Sequence, residues 1–376
     1  MTSILPTGPA SARELAGVAP AMLRSLSGEG DLPEVRSAIL FVVDGLGAIA
    51  LRAHRAHARF LGQAMAKKDV ARSVFPSTTA AALTTLLTGA DPGAHGLVGY
   101  RVLDPDRDVL ANQLNGYERD GLDAEAWQLA PTIFERAAEM GATPYAVSAK
   151  RYEATGFTRA VLRGADVVGE DDPAARVRLA CAIAAQSPGA FVYCYLPELD
   201  QAGHPHGVDS DAWRAALEQI DQALSAVRTL PGGVGAIATS DHGMVDVPRH
   251  RHVLLQEGDP RLAGVRHLGG EPRLLHVYAE EGVDAAALAD VWRASSGAAA
   301  DVVTRDEAIE AGLFGARVDP RVRVRIGDVL VAARGLWAFY DDRLRDKAPQ
   351  RMIGQHGSVT PEETIVPFVR IGAYAR

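Results

Sequence analysis

The chain has 376 residues, 47% of them hydrophobic and 23% charged, and a net charge of −8 from 39 Lys+Arg against 47 Asp+Glu. That is globular composition for one large domain with an insertion, or two modest ones, and the acidic balance argues against a nucleic-acid polymer as partner while leaving room for a small phosphate ester. Only Cys181 and Cys194 are present, so no disulfide framework is expected, and no run approaches the roughly eighteen apolar residues of a membrane span.

Residues 1–6 show neither a basic segment nor a continuous apolar run, so no secretory leader is expected; the reading is a cytoplasmic protein without a membrane partner. Residues 11–26 read as a short amphipathic helix and 38–43 as a buried strand ending at Asp44. Residues 48–64 have helical composition, with Arg52, His54, Arg55, His57 and Arg59 on a solvated face; no carboxylate accompanies the two histidines. Phe75-Pro76-Ser77-Thr78-Thr79 is a turn, and the run that follows is a helix closed by Gly89. Helix is expected again over 131–140, 174–186 and 211–230, and strand over 144–148, 190–196 and 234–240. This alternation predicts an α/β fold, a mostly parallel sheet sandwiched by helices.

Between about 259 and 321 the pattern changes to strand 273–279, helix 284–296, strand 300–304 and short helix 305–311, a small inserted α+β subdomain. Residues 326–333 are expected to return as a core strand, so that 1–258 and 322–376 form the main unit.

The chemistry gathers at strand ends, where α/β sheets carry ligands. Asp44 follows the first core strand, Asp200 and His204 follow 190–196 at i, i+4 spacing, and Asp241-His242 follow 234–240. His356 lies near the C-terminus. Asp44 or His356 alone is better explained by a helix cap or a satisfied core histidine. Together, three Asp and three His offer enough donors for two divalent metals, with zinc favoured by the histidines and manganese accepting the same donors. The hydroxyls of Ser77, Thr78 and Thr79 sit at a helix start, where backbone N–H groups and the dipole favour an anionic phosphate; Thr79 is well placed as a nucleophile.

These stretches resemble the alkaline phosphatase superfamily, and within it the nucleotide pyrophosphatase/phosphodiesterase branch. The resemblance runs through Val43-Asp44-Gly45, the 75–79 turn to Leu87-Thr88-Gly89, Pro92-Gly93-Ala94-His95-Gly96, Asp200-Gln201-Ala202-Gly203-His204, Ser240-Asp241-His242-Gly243-Met244 and Gln355-His356-Gly357. It implies that Asp44, Thr79, Asp241 and His242 surround one metal, and Asp200, His204 and His356 the other, with His95 structural. It implies hydrolysis of a phosphodiester or pyrophosphate bond in a nucleotide-like molecule through a phosphothreonine. One position departs from the branch, which usually carries an asparagine three residues after the nucleophile; here it is Ala82. Asn112 or Asn115 is the expected replacement donor. The alternatives are a phosphomonoesterase or phosphonate hydrolase of the same superfamily, recruiting Lys150, Arg151 or Arg249 for the extra charge, then a phosphomutase, then a metal-binding protein without catalysis.

Overall fold

In the computed structural model the described residues are 9 and 12–375. The leader reading at residues 1–6 and the start of the helix expected from Ser11 lie outside them. The main sheet has eight strands: β1 (Arg13–Glu14), β2 (Ser37–Val43), β3 (Val70–Arg72), β4 (Thr143–Ser148), β5 (Asp166–Gly169), β6 (Ala190–Leu196), β7 (Val234–Thr239) and β8 (Ile365–Gly372). Their order is β1-β3-β8-β7-β2-β6-β4-β5. All pairings are parallel except those of β8, which runs antiparallel to β3 and β7.

Every residue of β2 is buried. Ala38, Leu40 and Val42 enter one core, while Ile39, Phe41 and Val43 enter the other. Helices cover both faces, which is why the strand reads as an unbroken apolar run rather than an alternating one. The fold is the α/β sandwich that the alternation predicts.

Three local readings change. The helix expected over 48–64 is two, Ala48–Ala53 and Arg59–Ala64, because the buried Asp221 carboxylate accepts from Phe60 N at 2.9 Å and Leu61 N at 2.8 Å and starts the second one. The supposedly solvated His54 and His57 instead pair with Asp209 and Glu218 at 2.9 and 2.6 Å. The strand expected over 326–333 forms at Val329–Ala333, but not in the main sheet. It lies between Leu274–Ala279 and Ala300–Thr304 in a four-stranded antiparallel sheet completed by Val265–Glu271. The helix Ala285–Ser296 packs on that sheet through the fully buried Trp292.

A buried ion pair ties the two sheets together beside the site. Arg273 donates to both carboxylate oxygens of Glu363, at 3.1 and 2.7 Å, with both side chains fully buried. Glu363 Oε1 also accepts from Ser358 N at 3.0 Å, two residues beyond His356. No helix among the described residues is long and apolar enough to cross a membrane.

Candidate active site

Strands β7, β2 and β6 are neighbours and parallel, so their carboxyl ends lie side by side. Asp44 leaves β2, Asp241-His242 follow β7 after Ser240, and β6 feeds the helix Glu198–His206 that carries Asp200 and His204 one turn apart. His356 arrives from a distant part of the chain. The short strand Gly354–Gln355 before it pairs with Val245–Asp246, just beyond His242. All six expected metal ligands therefore converge.

The three histidines share one orientation. Nδ1 of His242, His204 and His356 lies 3.1, 2.9 and 2.9 Å from the carbonyl oxygens of Gly243, Gly354 and Ser77. A carbonyl only accepts, so each Nδ1 carries the proton and each Nε2 keeps a free lone pair. Those lone pairs face carboxylates, which are also acceptors. His242 Nε2 is 3.4 Å from Asp44 Oδ1 and 3.3 Å from Asp241 Oδ2; His204 Nε2 is 3.4 Å and His356 Nε2 is 3.9 Å from Asp200 Oδ1. Asp44 Oδ1, Asp200 Oδ1 and Asp241 Oδ2 are buried without a hydrogen-bond partner.

Acceptors facing acceptors inside a protein call for a cation between them. Asp200, His204 and His356 form one compact donor set, and Asp44, Asp200 and His242 another, with Asp200 reaching both. Burial, then the charges of Asp241 and Asp200, push the Asp44 carboxyl well above its ordinary range. Burial and then Asp200 raise Asp241 to about 7, while burial lowers His242 to about 4. Carboxyls that burial and mutual repulsion push toward protonation unless a cation offsets their charge, beside the neutral His242 imidazole, form a donor set that fits divalent metal.

Thr79 opens the helix Thr79–Thr88, and its Oγ1 lies 3.0 Å from His242 Nε2. Thr78 is the N-cap, and its hydroxyl accepts from Ala81 N at 3.3 Å. Ser77 is committed to the neighbouring loop, donating to Ser358 O at 2.7 Å and accepting from Gly357 N at 3.2 Å. Of the three hydroxyls, only that of Thr79 is turned to the metal-type cluster.

Two cavities of about 320 and 390 Å³ flank Thr79, and both are also lined by Leu114 and Asp200. Tyr152, Phe157 and Tyr195 wall the first. Asn115 lines it as well. Asn112 does not; its Oδ1 accepts from Leu114 N and Asn115 N, both at 2.9 Å, and shapes the turn. Ala82 is fully buried within the hydrophobic core, so the helix leaves no room there for an amide. His95 is buried and paired with Thr85 Oγ1 at 2.9 Å, away from the ligand set. Among the described residues, Lys150, Arg151 and Arg249 line neither cavity, whereas Arg101, which sequence reasoning missed, lines the second.

Solved structures share this architecture. Mouse ectonucleotide pyrophosphatase/phosphodiesterase 5 matches with a TM-score of 0.68 at 19% identity, covering 89% of this chain and 88% of its own. The human protein of the same name gives 0.69 at 18%, covering 90% of each. Phosphonoacetate hydrolase from Sinorhizobium meliloti, in complex with phosphonoformate, gives 0.66 at 19%, covering 90% of this chain and 91% of its own. No curated protein is significantly similar in sequence. The family model for type I phosphodiesterase / nucleotide pyrophosphatase matches residues 38–359. Spanning most of the length and every strand-end ligand, that match means the chain belongs to the type I phosphodiesterase / nucleotide pyrophosphatase family, metal-dependent enzymes of phosphoester hydrolysis in the alkaline phosphatase superfamily.

Proposed function

We propose that this protein hydrolyses phosphodiester or pyrophosphate bonds in small, nucleotide-like molecules, with Thr79 as nucleophile and two divalent ions, zinc or manganese, as cofactors. The observation that carries the reading is the hydroxyl of Thr79, at a helix start and 3.0 Å from His242 Nε2, between two cavities. Asp44, Asp241 and His242 would hold one ion, and Asp200, His204 and His356 the other. Bound there, the ions supply positive charge that makes a hydroxyl acidic and offsets charge on a leaving oxygen.

The chain's own groups do the rest. Thr79 Oγ1 gives up its proton to solvent and attacks phosphorus, forming an Oγ1–P bond as the bond to the leaving oxygen breaks, and that oxygen departs with a proton from water. Water then attacks phosphorus from the vacated side, the Oγ1–P bond breaks, the phosphate product leaves, and Oγ1 regains a proton. Thr79 opens the Thr79–Thr88 helix, and the first-turn N–H groups left over by the Thr78 cap would favour an anion at its start. Tyr195 donates to Asp44 Oδ2 and so leaves Oδ1 free to ligate. Asn115 is the available amide donor beside the phosphoryl group.

Two cavities beside one nucleophile favour a substrate with two organic arms, a diester or pyrophosphate. Mouse ectonucleotide pyrophosphatase/phosphodiesterase 5, solved as an inactive variant in complex with AMP, supports a nucleotide in such a site. Phosphonate hydrolysis is the second reading, supported by the likeness to phosphonoacetate hydrolase. Rates of the metal-loaded protein on bis(4-nitrophenyl) phosphate and 4-nitrophenyl phosphate separate the cases. The diester should be the faster substrate; a faster monoester would overturn the diesterase assignment.

A further inference from the structure

We propose that Arg101 binds a second anionic group of the substrate, on the arm that enters the larger cavity. The inference deepens the hydrolase reading and rests on it for the position of the reacting phosphorus. Arg101 begins the short strand Arg101–Asp104, is half-buried, and lines that cavity together with Thr78 and Thr79. It is the sole Lys or Arg lining either cavity among the described residues.

Its guanidinium makes no hydrogen bond or ion pair among the described residues, and Asp120, Asp341 and Asp346 near it have other partners. Asp120 is held by Arg119 at 3.0 and 3.3 Å and accepts from Asn112 N at 3.0 Å. Asp341 is held by Arg343 at 2.8 Å through each oxygen. Asp346 accepts from Ala348 N at 2.8 Å. Glu271, which lines the same cavity, turns its Oε1 against Gly357, where it is buried without a hydrogen-bond partner. A free guanidinium in a partly enclosed cavity offers a planar fork of donors suited to a phosphate or carboxylate.

Position separates this role from contact with the reacting phosphoryl group. The charge of Arg101 is felt by Asp120 and Asp341. Asp44, Asp241 and His242 are shifted instead by burial and by one another's neighbourhood. The guanidinium lines the cavity without belonging to either compact donor set for metal. The chemistry it selects is an oxyanion beyond the bond to be cleaved, either the next phosphoryl of a pyrophosphate or a carboxylate.

The test compares wild type, Arg101→Gln and Arg101→Lys, metal-loaded, on three substrates: ATP, phosphonoacetate and bis(4-nitrophenyl) phosphate, whose arms are uncharged. Arg101→Gln should raise KM for the substrate with the matching second anion about tenfold or more, as loss of a charge-assisted hydrogen bond implies. The uncharged diester should stay within about twofold on the same principle, and Arg101→Lys should recover part of the loss. Loss confined to ATP assigns the phosphoryl source, and loss confined to phosphonoacetate the carboxylate source. Equal loss on all three substrates, or none on either anionic one, would overturn the proposal. Calorimetric titration of ATP and AMP into Thr79→Ala, with and without Arg101→Gln, gives a readout without turnover. If wild type cleaves none of the esters the hydrolase reading fails, yet ATP binding weakened selectively by Arg101→Gln would still uphold the anion site, and unchanged binding would sink it.

Discussion

Thr78 and Thr79 separate folding from chemistry within one dipeptide. Thr78→Ala removes the N-cap hydrogen bond to Ala81 N, which costs about 1 kcal/mol of stability. Thr79→Ala removes one contact, the 3.0 Å approach to His242 Nε2, and a single buried hydrogen bond is worth about 0.5–1.5 kcal/mol net. The two variants should therefore be nearly equal in urea unfolding. Their rates should not be. Without the hydroxyl no covalent route exists, and the expected loss is at least about a thousandfold, or ~4 kcal/mol in the barrier. Thr78→Ala should stay within about tenfold of wild type, as loss of a cap leaves the nucleophile in place. Initial rates on bis(4-nitrophenyl) phosphate, with metal content measured on the same samples, provide the assay. Both variants should retain wild-type metal, because six other side chains supply the donors. A near wild-type rate for Thr79→Ala beside a dead Thr78→Ala would refute the assignment of the nucleophile.

Chelation should abolish activity, and zinc should restore it at about two equivalents per chain, as a two-metal site requires; a fully active protein with one equivalent would contradict this. His356→Ala should weaken only the ion shared with Asp200 and His204, leaving one equivalent by elemental analysis. Ala82→Asn should not create a better diesterase, because it forces an amide into a closed core. A cost of about 2–4 kcal/mol in urea unfolding is expected from overpacking and an unsatisfied polar group, and raised diester turnover in a stable variant would refute that. Arg273→Ala leaves the Glu363 carboxylate buried and unpaired, which costs about 3–5 kcal/mol. Since Glu363 also anchors Ser358 N, zinc affinity at the His356 side should fall with it. Unchanged stability would contradict the importance of the pair.

What the sequence makes legible here is what short-range pattern encodes. Asp44, Asp200 and Asp241 each follow a buried parallel strand, so apolar runs of six or seven residues point to them directly. His356 has no such run before it, only the two-residue strand Gly354–Gln355, and resemblance rather than periodicity identifies it. Strand β8 escaped because its pairing is long-range and antiparallel, and Pro367 interrupts its pattern. The strand Val329–Ala333 was legible as buried but not as to its sheet, since an apolar run does not name its neighbours. Arg101 carries no local signal at all. Only the folding of its strand against Val109–Asn112 and the approach of the second sheet put it in a cavity beside Thr79.

The central claim is that phosphoryl transfer passes through the hydroxyl of Thr79, and a trapped intermediate tests it most directly. Metal-loaded protein mixed with excess bis(4-nitrophenyl) phosphate is quenched in acid within a turnover, digested, and mapped by peptide mass spectrometry. The account predicts a phosphoryl adduct on the peptide holding Thr79, localised to that residue and missing in Thr79→Ala. A stable adduct on Thr78 or Ser77, or full turnover with no adduct at any time of quenching, would contradict it.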